Sequence, residues 1–156
     1  MTTTTMAQLR TIADYQFGAG AGKALFPESV DLAVQRSASG RPRQIFRDGG
    51  RLVTFGTDGR FTLGLKGGQQ LSEALDSKAY RVVVGDESEP FVRDGKNVFA
   101  KFVRRVDDQV RAGDEVLVEH RNGDLIAVGR AELSAAAMRD FESGMAVKVR
   151  DGRSLH

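Results

Sequence analysis

Residues Val82–Val103 read VVVGDESEPFVRDGKNVFAKFV. The apolar run Val82-Val83-Val84 stops at Gly85 and at the acidic residues Asp86, Glu87 and Glu89. Ser88 to Arg93 has the length of about one helical turn, Asp94-Gly95 is a turn, and Asn97 to Val103 is a second extended run. A strand thus reaches a surface, makes a short helix and returns as another strand. The bend carries Arg93, Lys96, Lys101, Arg104 and Arg105 around Pro90, Phe91, Phe99 and Phe102. Cations interleaved with aromatics suit a surface that grips phosphates and stacks bases. A basic hairpin over a half-buried aromatic core has the same pattern, and the pattern alone leaves both readings open.

Downstream, Asp107 to Asp114 is a polar connection ending in a glycine turn, and Glu115 to Glu119 alternates as a strand. Asn122-Gly123 is a hairpin signal before the strand Leu125 to Leu133. Gly129, in mid-strand, predicts a bulge or a close backbone approach. Ser134 is an N-cap for a helix from Ala135 to Glu142, with Met138 and Phe141 at i and i+3. Met145 to Arg150 is the last strand, and Asp151 to His156 reads as a frayed end. Short strands, short turns and two short helices predict a small closed or nearly closed barrel.

Upstream, MTTTT is a tail and Met6 to Phe17 is a helix, with Leu9, Ile12, Ala13 and Phe17 on one stripe. GAGAGK, Gly18 to Lys23, is not a phosphate loop: only three residues separate Gly18 from Gly22, and Ala24 follows Lys23. It predicts a helix break and a second helix, Gly22 to Phe26, whose first amides are free for an anion such as an RNA phosphate. From Ser29 to Leu65 the period is two, with turns at Ser39-Gly40, Asp48-Gly49-Gly50 and Asp58-Gly59. That is an antiparallel meander of about four strands. Arg36, Arg41, Arg43, Arg47 and Arg51 crowd one hairpin, as either a charged sheet edge or an RNA contact. Gly67-Gly68 opens a helix from Gln69 to Leu75, and Asp76-Ser77-Lys78 is a linker.

The expected organisation is therefore a tail (1–6), an α+β domain of antiparallel sheet and flanking helices (7–78), a β-barrel (79–150) and a frayed terminus (151–156). The chain has 156 residues, no cysteine and two histidines, so thiolate zinc sites, cysteine nucleophiles and multi-histidine metal sites are not expected. No cofactor is implied. The N-terminus lacks a cationic region followed by an apolar one, and no apolar run approaches the ~20 residues of a membrane span. A cytoplasmic, non-membrane protein is the expectation. The net charge is +2, with +3 in residues 1–78 and −1 in residues 79–156, so a nucleic-acid site must be a local patch.

The order of these segments resembles a known family. Val82-Val83-Val84, Asn97 to Lys101, Gly113 to Val118, Ala127 to Ala131 and Gly144 to Val149 together resemble a PUA domain, the RNA-binding module shared by pseudouridine synthases and archaeosine transglycosylases. Ile12 to Gly18 and Leu25 to Pro27 look like the small domain that precedes it in the archaeal tRNA-guanine transglycosylases. The resemblance covers nearly the whole chain but not that enzyme's catalytic barrel, with its aspartates and zinc site. Many PUA domains have a glycine near Phe102; an aromatic there fits the archaeosine branch. The resemblance implies an RNA surface on the short helix, the next strand and part of the last one. It points to Pro90, Phe91, Arg93, Lys96, Asn97, Phe99, Lys101, Phe102 and Arg150.

The leading expectation is a non-catalytic protein that binds tRNA by its stem and 3′ end and presents it to a separately encoded modifying enzyme. The alternative is a subunit that docks a transglycosylase or related complex and gains RNA affinity there. An enzyme using Asp14, Asp86, Glu87 or Glu89 is the third reading. Nothing pairs two of these with a nucleophile, and an acidic turn after a strand is ordinarily a solvated cap.

Overall fold

A computed structural model describes residues 5–154, which divide into two compact units between Leu75 and Asp76. In the first unit, α1 (Met6–Phe17) opens with a capping box: Gln8 N–H donates to Thr5 Oγ1, and Thr5 N–H donates to Gln8 Oε1. The predicted tail thus gives Thr5 and Met6 to the helix start, while residues 1–4 lie outside the described residues. The meander is β1 (Ala33–Arg36), β2 (Pro42–Arg47), β3 (Gly50–Phe55) and β4 (Phe61–Leu63), antiparallel and in chain order. Leu9, Ala13 and Phe17 of α1 are buried, as are Ile45, Leu52, Phe55 and Phe61 of the sheet. Phe61 is the hub, with ring centroids 5.6 Å from Phe26 and 5.1 Å from Phe55.

Two glycine-rich stretches differ from expectation for one reason: backbones approach each other closely. α2 spans Ala21–Leu25, and a Cβ at Gly22 would sit 2.3 Å from the Arg10 carbonyl oxygen of α1. The amide of Gly22 donates to Asp14 Oδ1 at 2.7 Å, so the chain's own carboxylate sits where an anion was expected. α3 spans Leu65–Ala74 and includes Gly67 and Gly68 rather than starting after them. A Cβ at Gly67 would lie 2.0 Å from the Leu52 carbonyl oxygen, so this face of α3 rests directly on β3.

The second unit contains β5 (Arg81–Val84), α4 (Glu89–Arg93), β6 (Val98–Phe99), β7 (Val103–Val106), β8 (Glu115–His120), β9 (Leu125–Ala131), α5 (Ala135–Asp140) and β10 (Met145–Gly152). Its sheet order is β6-β10-β9-β8-β5-β7. The outermost strands, β6 and β7, are joined only by a 3-10 turn, Ala100–Phe102. Three residues of 3-10 helix advance about 6 Å, little more than the spacing of paired strands. The two sheet edges therefore meet, and the sheet curls into a nearly closed barrel.

That turn corrects the predicted single strand from Asn97 to Val103: the run is split between opposite edges of the sheet. The barrel interior is apolar, from Val82, Val84, Val116, Val118, Ile126 and Val147 among others. β5 runs parallel to β8, and Arg81 at its start is buried against Glu119 at 2.7 Å. The last strand runs two residues beyond its expected end. The Arg153 N–H donates to the Ile126 carbonyl at 2.7 Å, so the predicted frayed end is docked as far as it is described; Leu155 and His156 lie outside the described residues.

Candidate nucleic-acid interface

The α4 bend builds its surface from local rules. Pro90 sits in the first turn of α4, where no N–H is needed, and is exposed. Phe91 follows at 61% exposure while Val92 turns into the barrel core. Gly95, with φ of +95°, ends the helix, and the Lys96 N–H returns to the Phe91 carbonyl at 2.9 Å. The far side of this turn rests on the last strand: a Cβ at Gly152 would lie 2.3 Å from the Arg93 carbonyl oxygen. Asn97 Oδ1 accepts the Val149 N–H at 3.0 Å, tying the bend to β10. Phe99 in β6 is 46% exposed, and the 3-10 turn presents Lys101 with its ammonium 5.0 Å from the Phe102 ring centroid.

The structure sorts the cations of the bend into two groups. Arg93 is buried at 7% exposure, facing Glu89 at 3.8 Å and Asp124 at 3.6 Å, so its charge serves the interior rather than the surface. Arg104 pairs with Glu87. Arg150 is the bulged residue of β10, and its guanidinium meets the buried Glu115 carboxylate at 2.5 and 2.9 Å. Lys96, Lys101 and Arg105 are exposed and stand outside every ion pair found among the described residues. The exposed set is thus Pro90, Phe91, Lys96, Phe99 and Lys101, with Phe102 half-buried beneath Lys101. Arg93, Asn97 and Arg150 hold the frame.

The acidic run keeps Asp86 and Glu87 exposed, but its carboxylates are paired. His120, at the end of β8, is buried, with Nε2 2.6 Å from Asp86 Oδ1 and Nδ1 2.9 Å from Glu89 Oε2. The second approach is an ion-pair contact whose alignment falls short of a hydrogen bond. Asp86 also takes Arg121 at 2.6 Å. The hydrogen bond to Asp86 raises the imidazole above its ordinary value of 6.5, and the same bond lowers Asp86 below 3.8. Stability from the His120 side is complete below its unfolded value and is lost as pH rises through the raised one. The Asp86 contribution is complete above its unfolded value and is lost as pH falls through the lowered one. Urea midpoints of the native chain should therefore fall as pH rises from the ordinary imidazole range through the raised His120 value. His120→Gln should flatten that limb; an unchanged slope in the variant overturns the assignment.

Phe141 was missed by sequence. Its spacing from Met138 put it on a helix running to Glu142, but α5 ends at Asp140 and leaves Phe141 50% exposed. The Gly144 carbonyl accepts the Ala100 N–H at 2.9 Å, so this loop borders the 3-10 turn. Helix geometry beyond Asp140 was the needed signal, and periodicity does not supply it. In the first unit, the arginine hairpin is largely engaged. Arg41 lies 4.2 Å over the Phe55 ring, Arg47 donates to Gln70 at 3.0 Å and Arg51 to Thr54 at 2.8 Å. Among the described residues, no group of three or more metal-ligating side chains could hold an ion. Nor is any of their helices long and apolar enough to cross a membrane.

Residues 7–78 match the model of the patch-forming domain C2 of tRNA-guanine transglycosylase, and residues 80–153 match the PUA domain. The chain is a patch-forming C2 domain followed by a PUA domain. It is 47% identical over 145 residues to the tRNA-guanine(15) transglycosylase of Pyrococcus furiosus, covering 92% of this chain and 24% of that protein. It is 43% identical over 146 residues to the protein of that name from Methanothermobacter thermautotrophicus, covering 93% of this chain and 22% of the relative. The chain thus spans about a quarter of the length of these relatives. Among solved structures, a hypothetical protein of Pyrococcus horikoshii shares the fold with a TM-score of 0.72 at 22% identity, covering 94% of this chain and 89% of the other. A conserved PUA domain protein of Thermoplasma acidophilum does so with a TM-score of 0.66 at 22% identity, over 95% and 90% of the two chains. In PUA-domain terms, the exposed bend is the α4 helix, the turn after it and the closure of the barrel.

Proposed function

We propose that this chain binds tRNA through its PUA domain, gripping a stem beside its single-stranded 3′ end, and serves tRNA modification in the cytoplasm without doing chemistry itself. The observation that carries this reading is the division of charge at the bend. Arg93 and Arg104 are consumed by carboxylates, yet Lys96 and Lys101 stand unpaired beside the exposed Phe91 and Phe99. Unpaired cations supply phosphate contacts, and exposed rings supply stacking for unpaired bases. Phe141, exposed on the loop whose Gly144 holds the 3-10 turn, is on this reading a further ring for stacking. The kinship with enzymes named tRNA-guanine(15) transglycosylase supports tRNA as the RNA and such a modifying enzyme as the partner.

The test is a titration with intact tRNA, tRNA trimmed of its 3′ end and a matched duplex, each at two salt concentrations. Tight binding to intact tRNA, weakened by trimming, is expected. Lys96→Ala with Lys101→Ala should weaken binding and lower the salt slope by about 1.5, the loss of two phosphate contacts. Unchanged affinity in that double variant sinks the site.

A second reading makes the C2 domain the docking module, with RNA affinity arising only in a complex. Tyr15 favours it: this ring is 95% exposed on α1 and lines a groove with Thr11, Ile12, Gln16, Gly59 and Arg60. Tight tRNA binding by the isolated chain removes the need for it.

A further inference from the structure

The outer face of the barrel between β9 and β10 carries a cavity of about 300 Å³ lined by Arg130, Glu132, Lys148, Val149 and Arg150. Lys148 stands directly opposite Arg130 in antiparallel register, so both side chains leave the same face of the sheet. Both are exposed. The two strands are drawn together here, because a Cβ at neighbouring Gly129 would lie 2.3 Å from the Lys148 carbonyl oxygen. Like charges directly opposed across a ladder destabilise a sheet. Among the described residues, carboxylates relieve this pair only on the Arg130 side, where Glu132 and Glu115 stand. Arg150 lines the same cavity but is held by Glu115, which stands opposite Arg130 on β8, and Glu132 reaches Arg130 only at 3.6 Å. Lys148 joins no ion pair among the described residues.

We propose that Arg130 and Lys148 form a phosphate subsite, with Glu132 as an internal competitor that an arriving phosphate displaces. A phosphate between the two cations replaces their repulsion with two charge-assisted hydrogen bonds. On the RNA-binding reading above, on which this source rests, the phosphate is a backbone phosphodiester of the bound RNA. Free inorganic phosphate would use the same two side chains.

The experiment has two arms, both on the full chain. In the first, inorganic phosphate is titrated while backbone amide shifts are followed by NMR. Shifts at residues 130 and 148 are expected, and Arg130→Ala with Lys148→Ala should abolish them. Glu132→Gln should tighten phosphate binding by about 1.5- to fivefold, the range of an exposed ion pair removed. No shifts at these residues overturn the subsite. In the second arm, the double variant should lower the salt slope of RNA binding by about 1.5. An unchanged slope, with Lys96 and Lys101 variants still weakening binding, overturns the RNA source and leaves the RNA-binding reading standing. Phosphate shifts in a chain that binds no RNA overturn that reading and assign the subsite to free phosphate.

Discussion

Arg150→Ala is expected to lower the stability of the PUA domain by about 3–5 kcal/mol, the range for stripping one partner from a buried ion pair. Glu115 is only 4% exposed, and both its oxygens meet the Arg150 guanidinium. Without Arg150, a carboxylate loses its bidentate partner where water barely reaches. The reverse change, Glu115→Gln, should cost less, because the Arg150 side chain is 27% exposed and its charge can turn to solvent. Replacing both together, Arg150→Met with Glu115→Leu, should recover most of the loss, since it removes the buried charge along with its partner. Urea denaturation of the four proteins makes the comparison. A cost for Arg150→Ala below about 0.5 kcal/mol, the range of ordinary surface substitutions, would overturn the assignment. The result also bears on function. Any loss of RNA affinity in this variant should track unfolding and leave the salt slope of the folded fraction unchanged.

Gly67→Ala sets two effects against each other in α3. Inside a helix, alanine is favoured over glycine by about 1 kcal/mol. Against this, the new Cβ would lie 2.0 Å from the Leu52 carbonyl oxygen and 2.8 Å from its carbon. Those are backbone atoms of β3, which cannot swing aside as a side chain would. Opening that contact lifts α3 from the sheet and loosens buried Leu71 and Leu52. Overpacking typically costs about 1–3 kcal/mol, and a backbone obstacle belongs at or above the upper end. The clash wins, and a net loss of about 2 kcal/mol or more is expected as a lower urea midpoint with an unchanged slope. A neutral or stabilised Gly67→Ala would show that propensity dominates and that α3 does not rest on β3 this closely.

Much of this molecule was legible from residue order alone, because the relevant physics is local. Asp48-Gly49 and Asp58-Gly59 turn the chain between alternating runs, and β2, β3 and β4 pair across those turns in chain order. The short helix before Asp94-Gly95, the N-cap at Ser134 and the close approach at Gly129 depend on neighbours in sequence or on a missing side chain. The interleaving of Lys96, Phe99 and Lys101 was visible for the same reason.

Only the tertiary structure decided which charges remain for a ligand. Arg93 and Lys96 look alike on the page, but Arg93 points inward to Asp124 and Glu89 while Lys96 stays in solvent. Arg150 ranks with the other cations until a bulge re-aims it onto Glu115, 35 residues away. The acidic turn reads as a solvated cap, and Asp86 and Glu87 do stay exposed, but β8 brings His120 to Asp86 across 34 residues. Strand alternation from Asn97 to Val103 fails because closing the barrel requires a 3-10 turn there, a demand set by opposite edges of the sheet meeting. The sequence by itself determined the two-part α+β and barrel organisation and the place of the bend, since turns, caps and periodicity act over a few residues. Which side chains that bend leaves unpaired depends on contacts between strands far apart in the chain, and these exist only once the barrel has closed.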